Sequence, residues 1–384
     1  MMGSMESLRT DRTAGIILAL ATIIALGWAT LANDSYESVR GFALGPHALH
    51  LHLDLATWAQ DALLALFFFV VGLELKREVV LGALSDRRAA ALPVLAALGG
   101  VAVPAAIAAL ITHDVAGAGR AWSIPMATDV AFALGVLALV GVTFPSSGRT
   151  LLLSLAVVDD LVAIVLIAAL FTSGIGGLAL AATALCVVAY WLLQRARVTS
   201  PVVYVPLAIA TWALLHGSGV HATLAGVALG LATRVHRDPG EPQSPAERLE
   251  HRLQPWSACV AVPLYALFAA GVPLSLPALR ALADDRIAWA IVIGLVVGKL
   301  IGITGAAALA VRTGVARRPD DLAWSGVATV GLLGGIGFTV SLLLADLALD
   351  GAAAERAKLA VLVGSLLATA LASIALRMNR AGRR

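Results

Sequence analysis

Two adjacent carboxylates, Asp159 and Asp160, stand in the middle of an apolar run at residues 151–171. At a rise of about 1.5 Å per residue, a helix of this length crosses the hydrocarbon core of a bilayer. A charged side chain at that depth costs at least ~2.5 kcal/mol, so it is rare and is usually functional. Both carboxylates therefore need partners inside the membrane, and the rest of the chain must supply them.

The composition is that of a polytopic membrane protein. The 384 residues are 60% hydrophobic and 13% charged, whereas an ordinary soluble domain carries about 25% charged residues. The apolar runs are continuous rather than alternating, which argues against a β-barrel. The net charge of +3 is small, and no basic patch of the kind that binds nucleic acid is present. Cys186 and Cys259 lie in apolar runs without metal or disulfide spacing, so we expect inert thiols and no cofactor.

The apolar runs predict an all-α fold of about twelve transmembrane helices, the first of them an uncleaved helix. They are expected at residues 14–32, 58–80, 91–111, 121–142, 151–171, 177–193, 203–215, 220–233, 256–272, 287–311, 322–347 and 352–376. In the loop at 33–57, the alternation from Leu49 to Leu55 after Gly45-Pro46 predicts a small β-hairpin. The polar stretch at 234–254 is predicted to be a loop. The chain is expected to form one transporter domain over 1–384.

The basic residues predict the orientation of these helices. All but seven of the 27 Lys and Arg residues fall on the side of the amino terminus when the helices alternate. The exceptions are Lys299, which lies within the membrane, and six residues on the other side: Arg40, Arg120, Arg280, Arg286, Arg356 and Lys358. The positive-inside rule then places both termini in the cytoplasm.

Two of the predicted helices are interrupted. The fourth contains Pro125 followed by Thr128-Asp129, and the eleventh contains the glycine-rich stretch 331–337 with Gly334, Gly335 and Gly337. In lipid, such breaks are tolerated only where they line a cavity or are covered by protein. Matching breaks in two halves indicate a transporter site, with helices 3–5 (91–171) and 10–12 (287–376) as inverted repeats. A plain proline kink with close small-residue packing is the alternative, and the accompanying charges disfavour it.

The charged residues near these breaks suggest how the site is assembled. Facing positive helix ends favour a carboxylate such as Asp129, and negative ends favour a cation such as Lys299. Lys299 lies about twelve residues from either end of its helix, so it must be paired or neutral. Adjacent helix positions point about 100° apart, so one of Asp159 and Asp160 meets Lys299 while the other faces a cavity. A purely structural salt bridge with Lys299 is the other interpretation.

Carboxylate oxygens hold either a proton or a hard cation such as Na⁺. Competition between the two on one site is a basis for exchange, so the sequence predicts an ion-exchanging transporter and not an enzyme. Glycines at 294, 298 and 302 recur every four residues. This spacing predicts close packing of another helix beside Lys299.

Five motifs in order resemble the NhaA family of bacterial Na⁺/H⁺ antiporters. They are Val71-Gly72-Leu73-Glu74-Leu75-Lys76-Arg77-Glu78, Ala127-Thr128-Asp129-Val130-Ala131-Phe132-Ala133-Leu134-Gly135, Val158-Asp159-Asp160, Gly298-Lys299 and Gly335-Ile336-Gly337-Phe338-Thr339. NhaA is itself one of the transporters from which the inverted-repeat rule is drawn, so the repeat argument is not independent of the resemblance.

The resemblance implies an electrogenic inner-membrane antiporter that exports Na⁺ or Li⁺ and imports more protons than it exports cations. It implies Asp160 and Asp159 as the ion- and proton-binding pair, with Thr128 and Asp129 at the helix crossing. It implies that Lys299 partners Asp159 or balances half-helix ends, and all five residues are predicted to belong to the ion- and proton-binding site. It also implies a homodimer that includes the hairpin after the first helix.

Family pH regulation is attributed to the cytoplasmic mouth. The matching residues here are Glu74, Arg77, Glu78, Glu250 and His251, with ordinary solvated interfacial charges as the alternative. The chain departs from the family pattern at Gln254, where a histidine is common, and at Ala269, where an asparagine is common. The first departure bears on the pH set-point. His221 matches a family histidine on the extracellular side, where simple packing is the plainer interpretation.

Three other functions remain as alternatives from the residues. A sodium-coupled symporter of organic anions needs a roomier polar cavity and has no use for a lysine at the midplane. An intramembrane aspartyl protease using Asp129 and Asp160 is disturbed by Asp159 and Lys299, and its Gly-x-Gly-Asp pattern is absent. A passive channel suits buried carboxylates less well than a carrier does.

Overall fold

The computed structural model describes residues 2–47, 51–140, 144–172, 174 and 176–381. These residues are helical apart from one small hairpin and the connecting loops. In chain order the α-helices are α1 (Met2–Leu31), α2 (Asn33–Arg40), α3 (Leu55–Trp58), α4 (Leu64–Val80), α5 (Arg87–Thr112), α6 (Val130–Val140), α7 (Ser146–Leu170), α8 (Gly177–Arg195), α9 (Pro201–His216), α10 (Leu224–Ala232), α11 (Pro245–Trp256), α12 (Val262–Ala269), α13 (Leu276–Asp284), α14 (Arg286–Ile293), α15 (Lys299–Arg312), α16 (Trp324–Gly334), α17 (Thr339–Ala348) and α18 (Gly351–Ala381).

Seven of the predicted spans are helices long and apolar enough to cross a membrane. They cover Thr13–Leu31, Leu55–Val80, Arg88–Thr112, Ser146–Leu170, Gly177–Arg195, Arg286–Arg312 and Gly351–Asn379. The predicted eleventh helix adds an eighth span if α16 and α17, bent by 47° at their junction, are taken together. Each remaining predicted segment contains a shorter helix. The all-α polytopic fold with interrupted fourth and eleventh helices is therefore confirmed.

Three spans contain a wider π-helical turn that sequence periodicity did not indicate. These turns, Ala59–Leu63, Ser257–Ala261 and Gly294–Gly298, join α3 to α4, α11 to α12 and α14 to α15. Such insertions are frequent at functional sites. The third turn ends directly before Lys299 and therefore sets the direction of its side chain.

The small hairpin after α1 is also confirmed, with a second strand shorter than the predicted Leu49–Leu55. Strands β1 (Ala43–Leu44) and β2 (Leu53–Asp54) pair antiparallel, with Ala43 opposite Asp54. Gly45 has φ +120°, and a Cβ atom there would overlap the carbonyl of Leu51, so the turn requires glycine. Residues 49 and 50 of the predicted strand lie outside the described residues.

The loop prediction for 234–254 is wrong over its second half, where α11 begins. Ser244 accepts the N–H of Glu247 at 3.2 Å, and Glu247 accepts the N–H of Ser244 at 2.9 Å. This reciprocal capping box, with Pro245 in the first turn, starts a helix in a polar sequence. The helix continues through Ser257–Ala261 into α12, so the polar segment is joined rigidly to a predicted span.

By packing, the described residues fall into two compact units. The first comprises the residues up to Leu31, Ala83–Ala163 and the residues from Ala270 onward. The second comprises Ala32–Gly82 and Ile164–Ala269. Both interrupted helices belong to the first unit, so the crossing of their breaks is a feature of that unit alone.

Close packing of α5 against α14 and α15 confirms the role predicted for the spaced glycines. A Cβ atom at Gly302 would overlap the backbone of Gly99. One at Gly298 would lie 2.9 Å from the Cα of Pro104, and one at Gly294 would lie 2.7 Å from the Cβ of Pro125. The backbones approach one another because these positions have no side chain.

Gly302→Ala is therefore expected to lower the melting temperature of the purified protein. Overpacking costs about 1–3 kcal/mol of unfolding free energy, because the added methyl group meets backbone that cannot rotate away. Gly305→Ala, on the same helix with no atom within 4 Å of the added Cβ, is the matched control. Equal melting temperatures for the two variants would show that the α5–α15 contact is looser than the structure indicates.

Candidate functional site

The two chain breaks cross each other in the first unit. Between the 3₁₀-helix Ala121–Met126 and α6 the backbone is extended, and residues 335–338 separate α16 from α17. The Asp129 N–H donates to the carbonyl of Ile336 at 2.7 Å, and the Thr128 hydroxyl donates to the carbonyl of Gly334 at 2.7 Å. These two bonds satisfy backbone groups that the breaks free, as a membrane interior requires.

The glycines of the second break permit this approach. A Cβ atom at Gly337 would lie 3.0 Å from the carbonyl oxygen of Ala127, and one at Gly335 would overlap the carbonyl of Leu295. One at Gly334 would lie 2.7 Å from Ile303 Cδ1. A side chain at any of these glycines would therefore meet neighbouring residues.

Asp129 neutralises two helix amino termini. Its Oδ1 accepts the N–H of Phe132 at 2.9 Å, in the first turn of α6. Its Oδ2 accepts both the N–H of Thr339 at 3.2 Å and the Thr339 hydroxyl at 3.0 Å, at the start of α17. A carboxylate at two positive helix ends is favoured, and both of its oxygens are occupied. Asp129 is therefore bound through both oxygens at the start of α6 and of α17.

Lys299 occupies the complementary negative position. Its ammonium donates to the carbonyl of Met126, the last residue of the 3₁₀-helix, and to Asp159 Oδ2 at 2.7 Å. The side chains of Lys299 and Asp159 are 0% and 1% exposed. The structure therefore assigns the pairing that the sequence left open: Asp159 meets Lys299.

One oxygen of Asp159 has no well-formed hydrogen bond, although Thr128 lies beside the carboxylate. Oδ1 is fully buried and forms no hydrogen bond. Asp160, the next residue on α7, is also buried, at 6% exposure. A buried acceptor without a partner is costly, so it marks a place where a proton or cation is expected. The sequence-predicted residues Asp159, Asp160, Asp129, Thr128 and Lys299 therefore all lie within the first unit.

The predicted regulatory residues lie in the second unit, where two of them, Arg77 and Glu250, form an ion pair. Arg77 Nη1 of α4 lies 3.0 Å from Glu250 Oε2 of α11, and Glu250 is buried. His251 instead accepts a hydrogen bond at Nδ1 from the amide of Gln243, at 3.1 Å. Glu74 and Glu78 stand on α4 with Arg77.

Sequence reasoning missed Glu247 in this cluster. The hydrogen-bonded Arg237 guanidinium, 2.7 Å away, and the Ser244 N–H lower the pKa of Glu247 from its ordinary 4.5 to about 2. Burial instead raises the pKa of Glu250, against the opposing charge of Arg77. The capping-box pattern Ser-x-x-Glu at 244–247 was the available signal for Glu247.

A second missed group surrounds Asp61, a buried carboxylate in the π-helical turn of the second span. His216 Nδ1 lies 2.9 Å from Asp61 Oδ2, and His221 Nδ1 lies 3.8 Å from Asp61 Oδ1. The Trp212 indole N–H donates to the Asp61 carbonyl at 3.0 Å. The argument that singled out Asp159, a carboxylate inside an apolar run, applies equally to Asp61 and was not extended to it.

A family model described as Na⁺/H⁺ antiporter 1 matches residues 5–376 of the chain. The chain belongs to this family. Like the other members, it is a membrane protein of the sodium/proton antiporter class and not a catalytic enzyme.

Curated relatives match nearly the whole chain. The Na⁺/H⁺ antiporter NhaA 1 of Saccharopolyspora erythraea is 59% identical over 373 residues, which cover 97% of this chain and 90% of the relative. NhaA 2 of Rhodococcus jostii is 56% identical over 380 residues (97% and 92%), and NhaA of Nocardia farcinica is 55% identical over 375 residues (97% and 90%). The family resemblance carried by the five motifs is therefore confirmed.

Lys299→Ala is expected to lower the melting temperature by the equivalent of about 3 kcal/mol or more, because it leaves Asp159 buried without its counter-charge. Combining it with Asp159→Asn should restore part of the loss, since the pair acts as one unit. Thermal unfolding of both single variants, the double variant and the exposed control Arg280→Ala measures the coupling. Additive effects in this cycle would contradict the pairing.

Glu247→Gln is expected to change how stability depends on pH. The folded-state pKa is depressed, so Glu247 stabilises the fold above about pH 4.5 and this contribution is lost as pH falls towards about pH 2. The variant should melt at a lower temperature near neutral pH than the unmodified protein. Its melting temperature should also fall less on acidification. Melting curves across this range, with exposed Glu355→Gln as control, test it. A wild-type profile in the variant would rule out the contribution.

Proposed function

We propose that this protein is an electrogenic antiporter that exports Na⁺ or Li⁺ in exchange for protons. The observation that carries the proposal is the buried Asp159 carboxylate, with one oxygen held by Lys299 at 2.7 Å and the other without a partner. Asp160 is buried at the adjacent position. The two carboxylates together offer oxygen ligands to a small hard cation, and the same atoms accept protons.

Competition at these oxygens couples the two ions. A cation held by Asp160 and Asp159 weakens the Lys299–Asp159 pair, because Lys299 then shares its carboxylate with a second positive charge. Protons that bind both carboxylates displace the cation, and the site, with Lys299 still charged, then carries one more positive charge than in the cation-bound state. Two proton-accepting carboxylates for one cation allow more protons than cations to be exchanged, which moves net charge and makes the membrane potential a driving force.

The crossed breaks hold this site in place. Asp129 offsets the partial charge of two positive helix ends, and Lys299 offsets that of a negative one. The polar helix ends are thereby stabilised in the membrane interior, where the proposed ion pathway runs. Thr128 fastens one break to the other through Gly334. In this proposal the crossing is the element whose displacement carries the site from one membrane face to the other. No cofactor takes part.

We infer that the Arg77–Glu250 pair contributes to pH regulation. Burial raises the pKa of Glu250, and the positive charge of Arg77 opposes this rise. Protonation as the pH falls removes the negative partner of Arg77 and releases α4 from α11. Glu74, Glu78 and His251 extend this cluster, and Gln254 replaces a titratable residue, which moves the set-point.

The proposed setting is a bacterial inner membrane with both termini in the cytoplasm, as the asymmetry of Lys and Arg indicates. The proposed assembly is a homodimer through the hairpin of β1 and β2. Phe42 and Leu44 on this hairpin are 61% and 41% exposed, so the hairpin presents apolar surface. Such surface is favoured at the core of an interface between subunits.

Asp160→Asn is expected to abolish exchange, since an amide neither takes up a proton nor balances a cation. Proton movement in everted membrane vesicles from cells lacking other antiporters is measured on adding NaCl, LiCl or KCl, over roughly pH 6.5–8.5, where regulated titration is expected. The unmodified protein should release protons on Na⁺ or Li⁺ but not on K⁺, and more so at higher pH. Asp114→Asn, at an exposed carboxylate, should behave as the unmodified protein.

Undiminished exchange by the Asp160→Asn protein would remove the site assignment. If the unmodified protein moves no protons at any pH, Na⁺/H⁺ exchange is rejected. Uptake of labelled organic anions would then test the symporter. Selective loss in Asp160→Asn, with Asp114→Asn intact, supports both the function and the site.

A further inference from the structure

A cavity of about 260 Å³ opens in the second unit, where α4 and α8 end. It is lined by Lys76 and Val80 of α4, by Trp191, Gln194 and Arg195 of α8, and by Ala232, Arg234, Val235 and His236 at and after the end of α10. No carboxylate is among these lining residues, three of which carry a positive charge at neutral pH. The cavity is therefore suited to an anion.

Two of the three cations have no internal counter-charge. Arg234 is neutralised by Asp238 Oδ2 at 2.7 Å and Glu241 Oε1 at 2.9 Å, and its backbone N–H is held by Gln194 Oε1 at 3.3 Å. In the part of the chain that the structure describes, Lys76 and Arg195 have no carboxylate oxygen within 4.0 Å. Their charge is available to a ligand from outside the chain.

The position of the cavity identifies the kind of anion. Helix α8 is one of the spans, and its apolar side chains are uncovered: Leu185 is 70% and Leu192 is 52% exposed. Trp191 lies in its last turn, and the Arg195 guanidinium stands 4.5 Å from the centroid of the Trp191 ring. Tryptophan at the end of a span marks the headgroup level of the bilayer, and arginine just beyond it faces lipid phosphates.

We propose that this cavity binds the headgroup of an anionic phospholipid. Lys76 and Arg195 bind the phosphate, Trp191 packs beside the glycerol, and the acyl chains follow the exposed apolar face of α8. The volume lies below the ~300 Å³ at which small-molecule sites begin, so it holds a headgroup while the rest of the lipid remains in the bilayer. A free phosphate offers the same charge, but it makes no use of Leu185 and Leu192.

The site ties the lipid to two helices that are distant in sequence. Lys76 belongs to α4 and Arg195 to α8, so one phosphate between them bridges both helices. A ligand that binds only the folded state raises its stability. Anionic phospholipid should therefore stabilise the protein, and this effect is independent of whether it transports ions.

The test uses the full-length protein in a neutral detergent. Dioleoylphosphatidylglycerol is titrated against dioleoylphosphatidylcholine, with glycerol 3-phosphate and inorganic phosphate in separate arms. Native mass spectrometry counts the bound molecules, and thermal unfolding records the stabilisation. We expect phosphatidylglycerol to bind and to raise the melting temperature, whereas phosphatidylcholine and the two water-soluble phosphates should have little effect.

The double variant Lys76→Gln/Arg195→Gln should bind phosphatidylglycerol about 30-fold more weakly, about fivefold for each charge removed. The control variant Arg252→Gln/Arg312→Gln removes two exposed charges outside the cavity. It should bind phosphatidylglycerol as the unmodified protein does. Lys76→Arg/Arg195→Lys keeps both charges and should retain binding even if the glutamine variant folds poorly.

Three results would overturn the proposal. The first is phosphatidylglycerol binding that is undiminished in the Lys76→Gln/Arg195→Gln variant. The second is an equal loss in the Arg252→Gln/Arg312→Gln control, which would show a general effect of charge. The third is equal stabilisation by glycerol 3-phosphate or inorganic phosphate, which would assign the cavity to a soluble anion instead.

Discussion

A lysine without access to water is the constraint on which the first unit depends. The Lys299 ammonium is completely buried and is held between the Asp159 carboxylate and the carbonyl of Met126. An isolated charge in such a place costs several kcal/mol, and only well-placed partners offset that cost. The carbonyl is available because the 3₁₀-helix ends at Met126, so the break in the helix and the buried lysine require each other.

The negative charge of Asp129 at the crossing is also stabilised by helix ends. Asp129 accepts three hydrogen bonds from the first turns of α6 and α17, where the chain restarts as helix after each break. Positive helix ends and a carboxylate offset one another, as do the negative end and Lys299. Asp159 differs from Asp129 because only one of its oxygens is bound. Asp129 thus has both oxygens hydrogen-bonded to helix ends, whereas Asp159 Oδ1 forms no hydrogen bond.

The proposed functions are divided between the two units. The ion-binding residues belong to the first, whereas the Arg77–Glu250 pair and the basic cavity at Lys76 and Arg195 belong to the second. Arg77 and Lys76 are neighbours on α4, so one helix carries both a carboxylate-bound cation and a cation with no internal partner. The proposed regulation by pH and the proposed binding of lipid therefore meet on the same helix turn.

The sequence by itself determined that the chain is helical and crosses the membrane, because apolar runs with few charges have no other stable arrangement in lipid. It also singled out Asp159, Asp160, Asp129 and Lys299, since a charged side chain inside such a run is usually functional and needs a partner. It did not determine which aspartate meets Lys299, where the π-helical turns lie, or that Asp61 pairs with His216. Those depend on rotations of about 100° per residue and on contacts between residues more than 100 positions apart. Such contacts exist only once the helices pack, and so the tertiary structure decided them.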